Sequence, residues 1–274
     1  MTVPRLALNN GVDIPQVGYG VFKIPAEDTT KAVLTALDTG YRHVDTARLY
    51  GNEDAVGAAV RESGLPRDEV FVTSKVWNDD HGYDSTLRAF DASLARLGFD
   101  VLDLYLIHWP VPAQDQYVDT WRALERIYHD GRARAIGVSN FQPEHLRRLV
   151  DESEVVPAVN QVELHPYLQQ RELRRMHEEL GIRTEAWGPI ARGGELLGDD
   201  TVTDLAARHG RTPAQVVLRW HVQLGNLVIP KSVTPSRMAE NIALFDFALD
   251  EDDMAALATL DRDHRTGPHP ERLG

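Results

Sequence analysis

The sequence predicts one closed (β/α)8 barrel, and three observations point to it. Eight short strand-like runs alternate with longer stretches of helical periodicity, usually closed by glycine. The chain has 274 residues, close to the ~250 that a single such barrel takes. No Pro/Gly/Ser-rich linker, composition break or low-complexity tract divides it, so residues 1–274 read as one domain.

The first element is a hairpin. Asn10-Gly11 lies between Leu6-Ala7-Leu8 and Val12-Asp13-Ile14, and Asn-Gly is the favoured pair of a type I′ turn. Strands are then expected at 16–19, 41–45, 70–75, 102–108, 134–138, 158–163, 183–187 and 227–230. Of the helices between them, 29–39 carries Val33, Leu34 and Leu37 and stops at Gly40, and 52–63 carries Val56 and Val60 and stops at Gly64. Helix 86–97 places Leu87, Phe90, Leu94 and Leu97 on one stripe before Gly98, and 118–129 carries Trp121, Leu124 and Tyr128 before Gly131. An apolar stripe ended by glycine is the signature of an amphipathic helix. Helices at 143–150, 170–180 and 213–224 continue the series, and two more, 235–245 and 251–260, close the chain.

Strands alternating with helices pair in parallel through crossover connections, which leaves the closed barrel and the open doubly wound sheet. The doubly wound dinucleotide fold requires Gly-x-Gly-x-x-Gly after its first strand. Here that stretch is Gly18-Tyr19-Gly20-Val21-Phe22-Lys23, without the third glycine. Eight regular units favour the barrel.

Composition narrows the function. There is no cysteine, which excludes disulfides, thiolate metal sites and cysteine nucleophiles. The net charge of −13 argues against nucleic acid as a partner, and no apolar run approaches the ~20 residues that span a bilayer. The N-terminal stretch lacks the apolar core of a signal peptide, so a soluble cytoplasmic protein is expected. The eleven histidines form no His-Glu-x-x-His spacing, so no metal is expected, and neither a phosphate-binding P-loop nor a Gly-x-Ser-x-Gly elbow occurs. In so acidic a chain, a phosphate-bearing ligand needs a local basic cluster.

Catalytic groups of a barrel collect where its strands end. The second strand ends in Asp45, with Tyr50 in the following loop; the third ends in Lys75 and the fourth in His108. Singly, a strand-end lysine is usually a rim charge and a histidine before Trp-Pro a packed core residue. Together the four suit proton donation to a carbonyl oxygen as hydride arrives at carbon. A phenol is a weak acid at neutral pH, and a neighbouring ammonium favours its phenolate and lowers its pKa. Asp45 can pair with the lysine, and His108 can either orient the carbonyl or relay the proton.

With these residues the chain resembles the aldo-keto reductases over nearly its whole length. The resemblance is carried by the segments 43–53 (His43 to Glu53), Leu106-Ile107-His108-Trp109-Pro110, Gly137-Val138-Ser139-Asn140-Phe141 and Ile229-Pro230-Lys231-Ser232. Glu185-Ala186-Trp187-Gly188-Pro189 is similar to the bacterial branch that includes 2,5-diketo-D-gluconate reductase. The resemblance implies Tyr50 as general acid assisted by Lys75, Asp45 and His108, and NADPH lying across the barrel mouth. It implies that Gly20, Val21 and Phe22 line the cofactor, and that Ser139, Asn140 and Gln161 hold the nicotinamide carboxamide. Trp187 would stack under the ring. Without the resemblance, Gln161 reads equally as a buried amide and Trp187 as a core aromatic. The basic cluster stands in Lys231-Ser232-Val233-Thr234-Pro235-Ser236-Arg237, at the start of a helix. By resemblance Lys231, Ser232, Val233 and Arg237 would meet the 2′-phosphate side of the cofactor, with Glu240 and Asn241 near the adenine.

Phe22, Leu49, Trp77 and Trp109 are the pocket candidates for a small carbonyl substrate, or else they pack the loops. Arg48 either meets an anionic substrate or faces solvent, the latter being favoured. The tail 268–274 is expected over the mouth, and a monomer is implied by resemblance alone. Some members of this fold turn over little and act as cofactor-sensing or structural proteins, so a regulatory subunit is the alternative reading.

Overall fold

The computed structural model describes residues 3–272. It opens on the expected hairpin, β1 (Arg5–Ala7) against β2 (Asp13–Pro15), paired antiparallel. Its turn differs from the type I′ expectation. Leu8 N–H donates to Val12 O at 2.8 Å and Gly11 N–H to Leu8 O at 3.0 Å, so the loop has three residues rather than two. Gly11 alone takes positive φ, at 82°, while Asn10 stays out of that region. This is the three-residue loop that ends in a left-handed glycine. Asn10 is thereby freed to reach Arg134 O at 2.9 Å.

Eight parallel strands follow: β3 (Tyr19–Gly20), β4 (His43–Asp45), β5 (Phe71–Val76), β6 (Leu102–Ile107), β7 (Ala133–Ser139), β8 (Val159–Glu163), β9 (Arg183–Trp187) and β10 (Leu227–Val228). Each pairs with its sequence neighbour, and a parallel bridge from Val17 to Val228 closes the ring between its first and last strands. Gly18 N–H to Val228 O at 2.8 Å and Val228 N–H to Gln16 O at 3.0 Å complete that seam. β10 is shorter than the expected 227–230 because Pro230 has no N–H to continue the ladder.

Ten helices surround the barrel: α1 (Ala26–Thr39), α2 (Glu53–Glu62), α3 (Tyr83–Leu97), α4 (Tyr117–His129), α5 (Pro143–Asp151), α6 (Arg171–Leu180), α7 (Asp200–His209), α8 (Pro213–Gln223), α9 (Pro235–Ile242) and the extra C-terminal α10 (Glu251–Ala258). Nine match the expected ones within a turn. α7 was not expected. Its signals are present in the chain all the same: the Asp199 side chain caps Thr201 N–H at 2.9 Å, and Val202, Leu205 and Ala206 face the core.

The barrel interior is divided by height. At the end where the strands begin, Phe71, Leu104, Leu106, Val159 and Leu227 form an apolar cluster with Leu8 and Ile14 of the hairpin. The hairpin therefore plugs that end. At the other end, where the strands finish, the interior holds Asp45, Lys75, Gln161 and Glu185, all buried. The polar side chains of the interior are thus set apart from the apolar cluster beneath the hairpin. Among the described residues no helix is long and apolar enough to cross a membrane.

Candidate active site

The site begins with a buried ion pair. Lys75 is fully enclosed, and an unpaired ammonium there would cost several kcal/mol. It is paired three ways. Its Nζ donates to Asp45 Oδ1 at 2.7 Å, to Thr46 O at 2.8 Å and, at 3.5 Å, to the Tyr50 hydroxyl. Three donors meet three acceptors. The four expected residues are therefore brought together: Asp45 ends β4, Lys75 lies in β5, Tyr50 ends a 3₁₀ turn (Arg48–Tyr50), and His108 follows β6. The His108 ring sits edge-on to Tyr50 with centroids 5.7 Å apart.

The loop carrying Tyr50 is anchored from below. Asn52 accepts from Thr46 Oγ1 at 2.8 Å and donates to Val21 O and Ile24 O, both at 3.2 Å. Glu53, buried at the start of α2, accepts from Ser74 Oγ at 2.5 Å and Arg96 Nε at 2.7 Å. Asn52 and Glu53 stand within the 43–53 stretch singled out in the sequence, yet only the coordinates give them their work.

Electrostatics refine the expected acid. Burial pushes the Tyr50 phenol up to about 12; Lys75 pulls it down and Asp45 pushes it up. The lowering by the ammonium expected from the sequence is present, but desolvation by burial outweighs it. His108 is held well below its ordinary range, first by burial and then by the Lys75 charge, so its imidazole is neutral. Of the two roles left open for it, orienting a carbonyl fits a neutral ring better than relaying a proton as imidazolium.

A second group of side chains adjoins the ion pair. Ser139 Oγ, at the end of β7, donates to Gln161 O at 2.8 Å. Asn140, at φ 64°, donates through Nδ2 to His108 O and to Ser139 Oγ, both at 3.0 Å, and accepts from Trp187 Nε1 at 2.8 Å. Gln161 Nε2 donates to Asp45 Oδ2 at 2.8 Å and to Glu185 Oε2 at 2.7 Å. Ser139, Asn140, Gln161 and Trp187 are thus one network with Asp45. Glu185 belongs to it as well, although the sequence marked it only as part of a motif.

The basic cluster lies between β10 and α9. Lys231 and Arg237 are exposed and, among the described residues, form no ion pair. Ser232 is buried, its Oγ accepting from Thr234 N–H at 3.1 Å; Val233 is exposed. Glu240 accepts from Thr212 Oγ1 at 2.6 Å, and Asn241 is buried. Gly20 ends β3, beside the carbonyl of Ile229, and Val21 is buried behind it. Phe22 and Leu49 are large apolar side chains left exposed, while Trp77 is half-buried and Trp109 buried. Phe22 packs on Tyr50 and Trp77 on His108, with centroids 4.9 and 5.2 Å apart. Arg48 is exposed.

Glu163 fastens the tail. It accepts from Thr266 N–H and Oγ1, both at 2.6 Å, and from Gly267 N–H at 3.1 Å. Gly267 lies so close to Trp187 that a Cβ there would sit 2.5 Å from its ring. His145 and Glu271, 3.2 Å apart, hold the tail further on. The contact with Trp187 is thus made just before the expected stretch 268–274, whose last two residues, Leu273 and Gly274, lie outside the described residues.

Comparison with known proteins gives consistent matches. Residues 16–262 match the Aldo/keto reductase family. An aldo-keto reductase of Mycolicibacterium smegmatis is 57% identical over 267 residues, covering 97% of both chains. A glyoxal reductase of Bacillus subtilis is 51% identical over 267 residues, 97% of this chain and 96% of its own length. Among solved structures, a Gox0644 variant in complex with NADPH superposes with a TM-score of 0.96 at 50% identity, covering 100% of each chain.

Proposed function

As a member of the aldo/keto reductase family the chain is an NADPH-dependent oxidoreductase, and we propose that it reduces small aldehydes, ketones and dicarbonyls to alcohols with Tyr50 as the proton donor. The observation that carries this reading is the Tyr50 hydroxyl held beside a fully buried ammonium at the open end of the barrel. A phenol pushed up to about 12 is protonated throughout the neutral range and always has its proton to give. The Lys75 charge, fixed beforehand by Asp45 and Thr46, then stabilises the phenolate as it forms. His108, neutral and edge-on to Tyr50, offers a ring nitrogen to the same carbonyl oxygen without adding charge.

The donor set fits the cofactor. Lys231 and Arg237 are free cations at a helix start in a chain of net charge −13, the arrangement that a 2′-phosphate needs. Gln161 and Asn140 supply amides and Ser139 a hydroxyl for a carboxamide, and Trp187 supplies a flat face beside them. Bound NADPH supplies the hydride that the carbonyl carbon accepts. Val21 and Phe22 would line its path over β3, with Glu240 and Asn241 toward the adenine. Phe22, Leu49, Trp77 and Trp109 would cover the substrate, an apolar lining suited to compact carbonyl compounds. The glyoxal reductase activity of the Bacillus subtilis relative supports 2-oxoaldehydes as one such class. With Arg48 exposed, keto acids and keto sugar acids remain inside the range to be assayed.

The test is NADPH consumption with glyoxal, methylglyoxal, 2,5-diketo-D-gluconate and an aromatic aldehyde. Tyr50→Phe is expected to abolish turnover while NADPH still binds. Retained turnover in that variant would refute the assignment of the proton donor.

A further inference from the structure

The buried carboxyl of Glu185 has no part in the reaction described above, yet it sits against the residues that perform it. It lies at the middle of β9 with no exposure, opposite Gln161 on β8 and Leu227 on β10. Asp45 forms an ion pair with Lys75 at 2.7 Å, and the atom of Gln161 that donates to its other oxygen at 2.8 Å must be the amide nitrogen. That same nitrogen is 2.7 Å from Glu185 Oε2. An amide has two hydrogens, and here each has a carboxyl oxygen to go to. The amide oxygen of Gln161 takes no protein hydrogen bond and is not among the enclosed unpartnered atoms, so it is the part that reaches the cleft.

We propose that Glu185 is a positioning residue of the reductase site: its carboxyl shares the Gln161 amide hydrogens with Asp45, fixes the amide oxygen toward the cofactor, and governs the charge felt by the Asp45–Lys75–Tyr50 group.

The protonation state follows from the surroundings. Glu185 Oε1 is enclosed without a partner, and so is His43 Nδ1, 3.9 Å away. The far nitrogen of His43 is taken by Thr73 Oγ1 at 3.0 Å. An ionised Glu185 would place a second carboxylate on one amide with only one ammonium nearby. Burial, reinforced by the Asp45 charge, pushes Glu185 up to about 8, and burial with the Lys75 charge pulls His43 down to about 3. At neutral pH both are uncharged. The charged and titratable groups facing Glu185 are Asp45 and His43 from β4, Lys75 from β5 and Tyr50 from the loop after β4, with Arg5 of the hairpin acting on His43. Ionisation of Glu185 adds a negative charge that raises Tyr50 further. Base catalysis by the Tyr50 phenolate, needed for alcohol oxidation, is therefore pushed to higher pH by Glu185.

The inference rests on the reductase reading, and the test separates the two. Infrared spectra of the whole protein are expected to show the carbonyl band of a buried protonated carboxylic acid at pH 7. That band should fade as pH rises past about 8 and be missing in Glu185→Gln and Glu185→Leu. In NADPH titrations followed by tryptophan fluorescence, Glu185→Leu frees one amide hydrogen and should weaken binding roughly tenfold, the worth of one orienting hydrogen bond. Glu185→Gln retains the acceptor oxygen and should bind within about twofold of the parent protein. In alcohol oxidation with NADP+, the rise of rate with pH that follows Tyr50 ionisation should move to lower pH in Glu185→Gln, which a role in packing alone would not produce. A parent protein without the acid band overturns the proposal, as do equal NADPH affinities for all three proteins or an unmoved rise of oxidation rate with pH. If the parent protein turns over no carbonyl or alcohol, the reductase reading fails, while the infrared band and the titrations still judge Glu185.

Discussion

Replacing Lys75 by Met tests the core of the reaction scheme, because the structure permits its size to be worked out. Nζ lies 3.5 Å from the Tyr50 hydroxyl, and the side chain is fully buried. Two unit charges at that separation, in an effective dielectric of about 20, attract by about 5 kcal/mol. If the phenolate is fully formed in the transition state, the loss in kcat is about 5,000-fold; if half the charge has developed, it is about 70-fold. The same change strips Asp45 of its ammonium and leaves it the Gln161 amide alone. Breaking a buried pair on one side costs about 3–5 kcal/mol, a fall of roughly 10 °C in Tm for a chain of this size. Adding Asp45→Asn removes the orphaned carboxylate and should recover most of the stability without recovering kcat. Single-turnover NADPH oxidation, paired with thermal melts, reads both quantities. Lys75→Met with kcat within fivefold of the parent, or a double variant that regains activity along with stability, would refute the argument.

Further outcomes follow from other parts of the site. Removing both cations with Lys231→Ala and Arg237→Ala should weaken NADPH binding about a hundredfold, as two charge-assisted contacts are lost, with NADH binding nearly unchanged in a fluorescence titration. Gly267→Ala puts a methyl group 2.5 Å from the Trp187 ring; the displaced ring should weaken NADPH binding by about tenfold, visible in the same titration. Acid stability is set by histidines buried in neutral form: His43, His177 and His221 are pulled down to about 3 and His81 to about 4, each mainly by burial. Their contribution is complete above the ordinary value of 6.5 and is lost as pH falls toward the folded values, each by at most about 1.4 kcal/mol per pH unit. Glu185, pushed up to about 8, opposes this above its ordinary value of 4.5, one group against four. Tm should therefore drop steadily from pH 6.5 to 4, and a flat Tm across that range would contradict the burial of these rings.

What the chain revealed on inspection was whatever depends on strand ends and periodicity. Asp45, Lys75 and His108 are readable because a parallel barrel sends every strand end to one rim, and the strands were delimited by their apolar runs. Tyr50 followed from its loop. Glu163 and Glu185 were not readable, since a charged residue within a strand looks the same whether it faces solvent or a partner. The Glu163 partners, Thr266 and Gly267, lie more than a hundred residues away and meet it only in the closed fold. α7 escaped because its stripe of Val202, Leu205 and Ala206 is short and interrupts the one-helix-per-strand rhythm. The hairpin turn type turned on Asn10, whose side chain finds Arg134 O across the barrel floor, a contact no local pattern contains.

The two halves of the site share one frame. Lys75, which faces the acid, is held by Asp45; Asp45 is held by Gln161; the Gln161 carbonyl is bonded by Ser139, and Ser139 by Asn140, which also receives the indole of Trp187. The proposed proton donor and ring platform are therefore spaced through short hydrogen bonds between residues on or just after strands β4, β5, β7, β8 and β9. Delivering hydride and proton to the two ends of one carbonyl demands alignment of the reacting atoms at about 3–3.5 Å. A barrel closed at its far end by the hairpin and strapped at its mouth by the tail supplies that alignment before any ligand arrives. A substitution among these hydrogen-bonded residues should then move cofactor binding and the Tyr50 profile together, whereas substitution of the exposed Leu49 should alter substrate preference alone.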